Sequence, residues 1–236
     1  MQRELKTLDD LAAAASPRVN EGEDALYRVN ALSEYLFDEL GFRGNREEYA
    51  DPRNSYLNDV LEQRLGIPIT LTVLYMDVGR RLGIPLAGVG MPGHFLARHR
   101  DEPDLFIDPF NGGVLLSVDE CAERFKEVTD GSVAWDPKYL APVSSREIVA
   151  RILRNLKMAY VQQEDNHRAL AAIDWLLLVQ PNANDELRDR GFLYCRTGRY
   201  SEALDDLRDY VASGTRGPDG LAIDELIGRI TRHLEG

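Results

Sequence analysis

The sequence predicts an α+β N-terminal domain, helices packed on a small antiparallel sheet, followed by an all-α repeat unit. Three observations carry that prediction. Residues 54–82 read as two consecutive helices, stopped by Gly66-Ile67-Pro68 and Gly83-Ile84-Pro85. Three short strand-like runs follow, Leu86 to Met91, His94 to Arg98 and Leu105 to Ile107, each bounded by Gly, Pro or Asp. From Glu147 onward everything is helical, and a shift of 34 residues superposes Tyr160 on Tyr194, Ala169-Leu170 on Ala203-Leu204, Ile173 on Leu207 and Leu177 on Val211.

Length and composition bound the rest. The 236 residues suffice for one large domain or two small ones. The apolar share is 44%, and no run approaches the roughly 18 to 20 apolar residues that cross a bilayer, which predicts a soluble chain. The charged start, Met1-Gln2-Arg3-Glu4-Leu5, lacks the apolar heart of a signal peptide and predicts a cytoplasmic location. A net charge of -12 repels phosphate backbones and anionic lipid, so neither nucleic acid nor a membrane is expected as a partner. Cys121 and Cys195 are far apart and form no CxxC pair, which predicts reduced thiols, with no disulfide framework and no zinc site.

Taken in order, Leu5 to Ala15 reads as a short helix ended by Ser16-Pro17. Asp24 to Leu40, with Ala25, Leu26, Val29, Leu32, Leu36 and Leu40 on one face, reads as a longer amphipathic helix stopped at Gly41. Phe42 to Arg53 is a polar loop, after which Asn54 or Ser55 is expected to cap the next helix. From Ile69 to Leu82 the apolar residues recur mostly at three- and four-residue steps with few charges before Arg80-Arg81, so this helix should be largely buried. His94 is expected to open one strand and Asp108 to close the next, with an exposed hairpin tip at residues 101–104. Ser117 followed by Glu120 is a capping box opening a helix to about Val128 that carries Cys121 and Phe125.

Residues 129–145, rich in Gly, Pro, Asp and Ser, read as a connector. The predicted domains are therefore 1–130, a connector at 131–146, and 147–236. The repeat period of 34 is the tetratricopeptide one, with Gly191, Tyr194, Gly198, Tyr200 and Ala203 in the second unit and Leu221 to Leu234 as a capping helix.

A buried helix followed by a His strand and an Asp strand resembles a papain-like, transglutaminase-type core. Arg81-Leu82-Gly83-Ile84-Pro85 looks like the end of that family's nucleophile helix, Pro92-Gly93-His94-Phe95 like its His strand, and Phe106-Ile107-Asp108-Pro109 like its Asp strand. With Asn54 to Asn58, Gly66 to Leu71 and Pro109 to Gly113, the chain is similar to the SirB-type bacterial branch, a transglutaminase-like domain followed by tetratricopeptide repeats. The resemblance implies a thiol activated at a helix N-terminus, a His that takes its proton and an Asp that orients the imidazole. The thiol position would fall near Pro68, Ile69 or Thr70, and no cysteine stands there.

Three functional readings follow. In the leading one the protein is a non-catalytic scaffold, a pseudoenzyme that holds a protein or peptide partner with the cleft around His94 and Asp108 together with the repeat. In the second, Thr70 or Cys121 replaces the thiol in a hydrolase or acyltransferase. In the third, a metal is held by His94, Asp108 and a further carboxylate. No cofactor is called for. His94 is either a site residue or a structural histidine bonded to a nearby carboxylate or carbonyl. Asn54, Asn58, Tyr75 and Asn111 either line a pocket or serve the backbone.

Overall fold

The computed structural model describes residues 2–20, 22–214 and 220–235, which fall into two units, 1–148 and 149–236. In the first, α1 (Gln2–Ala15) buries Leu8, Ala12 and Ala15, one stripe at helical spacing. Helix α2 (Ala25–Ser33) begins where the Asp24 carboxylate accepts from Tyr27 N at 2.7 Å. The single helix predicted to Leu40 changes pitch: Glu34–Glu39 is π-helical, closed by Leu40 N donating to Tyr35 O. That wider turn lets three consecutive residues, Tyr35, Leu36 and Phe37, all be buried.

The loop predicted from Phe42 contains a short strand, β1 (Arg43–Gly44), which pairs in parallel with β2 (Leu65–Gly66). Between them, a 3-10 turn (Pro52–Ser55) is capped by Asp51, and α3 (Leu57–Gln63) starts after Tyr56 with no side-chain cap. The expectation that Asn54 or Ser55 caps this helix is therefore corrected: both are buried inside the preceding turn. Helix α4 (Pro68–Arg81) has its proline in the first turn, where a missing N–H costs nothing, and buries nine residues, as its near-chargeless sequence requires.

The sheet is antiparallel, with β3 (Leu86–Val89), β4 (Leu96–His99), β5 (Phe106–Asp108) and β6 (Val114–Leu116) neighbouring in chain order. The strands are shorter than predicted, so His94 lies in the turn before β4 rather than opening it, while Asp108 does close β5. Side-chain alternation sorts the two faces. Ala97 and Ile107 join Leu71, Leu74 and Tyr75 of α4, whereas Leu96, Phe106 and Leu116 join Cys121 of α5 (Val118–Val128). The capping box forms as read, with Ser117 N donating to Glu120 Oε2 at 2.7 Å.

Residues 129–144 fold back onto this second face. Trp135 and Tyr139 pack on Phe125 with ring centroids 5.3 and 5.2 Å away, Leu140 enters the same cluster, and Val143 N donates to Gly88 O at 2.8 Å. The segment read as a connector thus covers the edge of β3, a strand edge otherwise open to unwanted pairing.

The second unit is built from α6 (Ser145–Gln162) from residue 149 onward, α7 (Asn166–Val179), α8 (Asn184–Arg196), α9 (Tyr200–Ala212) and α10 (Gly220–Glu235). The residues that superpose at the repeat period, Tyr160 with Tyr194, Ala169 with Ala203 and Ile173 with Leu207, are all buried in one core, and α10 covers it with Ile223 and Ile230. Each large apolar side chain so buried contributes roughly 1.5 to 3 kcal/mol, which is why the pattern repeats.

Candidate functional site

His94 is delivered by a tight turn, its N–H bonded to Met91 O at 3.1 Å. Gly93 makes the turn possible: its φ is +76°, and a Cβ there would stand 2.9 Å from Val128 Cγ2. On the other side, Thr72 Oγ1 of α4 donates to Phe95 O at 3.2 Å and fixes the next residue. The His94 ring then meets the last residue of β5, with Nε2 2.8 Å from Asp108 Oδ2. Both are out of water, His94 at 4% exposure and Asp108 at 0%.

Asp108 is held from its own strand end. The 3-10 turn Pro109–Asn111 brings Asn111 back, so that its Nδ2 donates to Oδ2 at 2.6 Å and its backbone N–H to Oδ1 at 3.3 Å. Arg46 donates to Asn111 Oδ1 and lies 5.0 Å over the Phe110 ring. Phe110 meets His94 edge-on at 6.0 Å and Tyr49 at 6.1 Å. Gly44 of β1 lies flat on Phe110, where any Cβ would collide with the ring. A polar relay therefore runs from Arg46 through Asn111 to Asp108 and His94, with Phe110 edge-on to the imidazole.

Burial is the largest influence on Asp108 and pushes its carboxyl up, but the hydrogen bond and charge of His94, then Asn111 and Arg124, outweigh it and hold the group below the ordinary 3.8. The carboxylate is an ionised acceptor. Arg124 of α5 stands with Nε 3.9 Å from the same Oδ2.

The stand-in nucleophiles are placed otherwise. At the start of α4, Ile69 and Thr70 are 1% and 2% exposed, and Thr70 Oγ1 accepts from Ile67 N at 3.1 Å while donating to Asn54 O at 2.7 Å. Its hydroxyl caps the helix and ties down a loop. Cys121 packs among Val89, Leu96, Phe106, Leu116 and Leu140. Burial pushes its thiol up to about 12, reinforced by the negative charges of Asp108 and Glu120, so it carries almost no thiolate at neutral pH. Cys195 lies on α8, in the other unit.

Of the pocket candidates, only Asn111 touches the pair. Asn54 turns inward: its Nδ2 donates to Glu48 O and Tyr49 O, its Oδ1 accepts from Asn45, and it anchors the loop that carries Arg46 and Tyr49. Tyr75 is fully buried, donates to Val29 O at 2.8 Å and stacks on Phe37, so it belongs to the core. Asn58 is exposed and helps line a shallow groove of about 350 Å³ with Glu4, Leu5, Leu8 and Leu57. A metal reading also lacks its ligands: no group of three His, Cys, Asp or Glu suited to an ion occurs among the described residues, and beside Asp108 a cation already stands.

Sequence reasoning did not find Arg124, Arg46 or Phe110. Arg124 follows Cys121 by one helical turn, so knowing which face of the sheet α5 covers would have pointed to it. Arg46 and Phe110 carry no such signal.

Comparison with known proteins bears on the two units. The profile of the Transglutaminase-like superfamily matches residues 2–154, and that of the Tetratricopeptide repeat matches residues 156–228. A UPF0162 protein of Xylella fastidiosa is 46% identical over 188 residues, 78% of this chain and 67% of that protein. A UPF0162 protein of Vibrio cholerae is 32% identical over 191 residues, 80% of this chain and 70% of that protein. F-box only protein 21 of Homo sapiens is 36% identical over 242 residues, 94% of this chain but only 37% of that protein. The chain belongs to the transglutaminase-like superfamily, in an architecture where tetratricopeptide repeats follow that domain.

Proposed function

We propose that the protein is a non-catalytic binding module of the SirB-type branch, which holds a protein or peptide partner with the cleft around His94 and Asp108 and with the repeat. One observation carries this reading. The helix start where the superfamily's thiol would stand is filled by Pro68, Ile69 and Thr70, all buried, and its single hydroxyl is committed to Ile67 and Asn54. With that position filled, the imidazole oriented by a carboxylate has no helix-start thiol whose proton it would take, and is suited to hydrogen-bonding a ligand rather than cleaving it. His94, Asp108 and Asn111 are the residues assigned to that role, and a ligand would reach them by displacing the neighbouring Phe110 and Arg46.

Two further observations support a partner of protein chemistry. Tetratricopeptide repeats generally mediate protein interactions, and α7 leaves Trp175 and Leu178 exposed one turn apart, at 63% and 71%. A region 36% identical to this chain makes up about a third of F-box only protein 21, in keeping with a part used inside longer proteins. The acidic net charge favours partners other than nucleic acid, and no helix among the described residues is long and apolar enough to cross a membrane, which agrees with the cytoplasmic placement we propose. The test is binding of the full chain to an array of short immobilised peptides. Wild type should retain a subset intact, and His94→Ala should weaken those at least about tenfold. Uniform binding by both proteins, or none by either, would contradict the reading.

A further inference from the structure

The Asp108 carboxylate is surrounded by more donors than an orienting aspartate needs. Its Oδ2 already receives His94 and Asn111, and Arg124 Nε stands 3.9 Å from that same oxygen. That Nε is buried and has no hydrogen-bond partner among the described residues, a costly state for a guanidinium N–H. The outer end of the side chain is occupied by Glu127, 3.3 Å from Nη1. Arg124 does not reach Asp108 by chance of a flexible surface chain: α5 is fixed to the sheet by the fully buried Cys121 and Phe125 on either side of it in sequence.

We infer that Arg124 is a positioning residue for the pair: its guanidinium, delivered by α5 to the oxygen that His94 and Asn111 also use, holds Asp108 as an anion and so keeps the imidazole turned with Nε2 toward it. A buried carboxyl with no nearby cation prefers to be neutral, and a neutral Asp108 would be a donor rather than an acceptor toward the ring. The charged or titratable groups that act on Asp108 are His94 from the turn before β4 and Arg124 from α5, and the Cys121 thiol of α5 is near enough to feel its charge. Arg124 is the permanent cation among them. The inference rests on His94 and Asp108 being the working pair of the first unit, and it does not depend on what the pair binds.

The test follows the Asp108 side-chain carboxyl by ¹³C NMR through the acid range in the full chain, together with the ring nitrogens of His94. Arg124→Met, similar in length and uncharged, should raise the pH at which the carboxyl titrates by about one unit, a tenfold change in proton affinity. Arg124→Lys should restore most of the wild-type behaviour. Should the Met variant fail to fold, Arg124→Gln gives the same comparison. A neutral variant that titrates with wild type while its amide spectrum is unchanged would overturn the inference, as would a Lys variant that behaves like the neutral ones. Since no ligand is used, this outcome is separate from the peptide-binding result.

Discussion

Lys157 in the repeat unit and Asp108 in the first unit are both charged groups kept from water, but their surroundings differ. Lys157 Nζ bonds Glu186 Oε2 and Asp189 Oδ2, each at 2.7 Å, Arg154 takes Glu186 Oε1 at 2.9 Å, and Arg188 takes Asp189 Oδ1 at 2.9 Å. All four carboxylate oxygens have a cationic donor, and the network ties α6 to α8 as a strut. At Asp108 the donors crowd onto Oδ2, Oδ1 receives a 3.3 Å bond from Asn111 N, and Arg124 stands off with no hydrogen-bond partner for its Nε among the described residues. A saturated network has one arrangement, whereas an unsaturated one beside an imidazole can rearrange when a ligand arrives. That difference separates a structural charge cluster from the site we propose.

The largest contrast should be between the two cysteines. With its thiol pushed up to about 12 against an ordinary 9, Cys121 carries about a thousandfold less thiolate than an unperturbed thiol. Iodoacetamide at mildly alkaline pH should label Cys195 first and reach Cys121 only on unfolding, as read by peptide mass spectrometry. Prompt labelling of Cys121 would break the comparison by restoring a nucleophile beside Asp108.

Next in size is the cost of breaking each cluster. Glu186→Ala leaves the buried Lys157 ammonium with one carboxylate and should cost about 3 kcal/mol in urea unfolding followed by circular dichroism. Asp108→Asn keeps the shape and most hydrogen-bonding capacity at its site and should cost about 1 to 2 kcal/mol. Equal costs would make the pair a strut like the other.

The smallest effect, and the sharpest in sign, is with pH. The Lys157 ammonium is raised above its ordinary 10.5, its two carboxylate partners outweighing the opposing effect of burial. Its stabilisation is complete below about 10.5 and is lost as pH rises through the folded value. Asp108 is lowered, so its stabilisation is present above the ordinary 3.8 and is lost as pH falls through the lower folded value. Amide spectra should therefore show the repeat unit loosening at the alkaline end through this lysine, and the first unit in strong acid through Asp108. The alkaline change should be absent in Lys157→Met.

What the sequence revealed follows from how local each signal is. The repeat was legible because Tyr160 and Tyr194, or Ala169 and Ala203, occupy equivalent buried positions. The Ser117 and Glu120 cap needed only four residues. His94 and Asp108 were legible through motif resemblance, since each stands next to a turn former, Gly93 or Pro109. The β1–β2 pair was not, because two-residue strands leave no alternation to read. Nor was Arg124, whose importance lies in which sheet face α5 covers, a tertiary fact. Asn at a helix start usually caps it, but in Asn54 tertiary bonds to Glu48, Tyr49 and Asn45 prevail.

The central claim, an oriented imidazole with nothing to activate, is tested most directly by turnover. The full chain and its His94→Ala variant, both with native amide spectra, would be incubated with a panel of aryl esters and peptide amides and the products followed by mass spectrometry. The account predicts no product above buffer from either protein. Turnover by wild type that disappears in His94→Ala would contradict it.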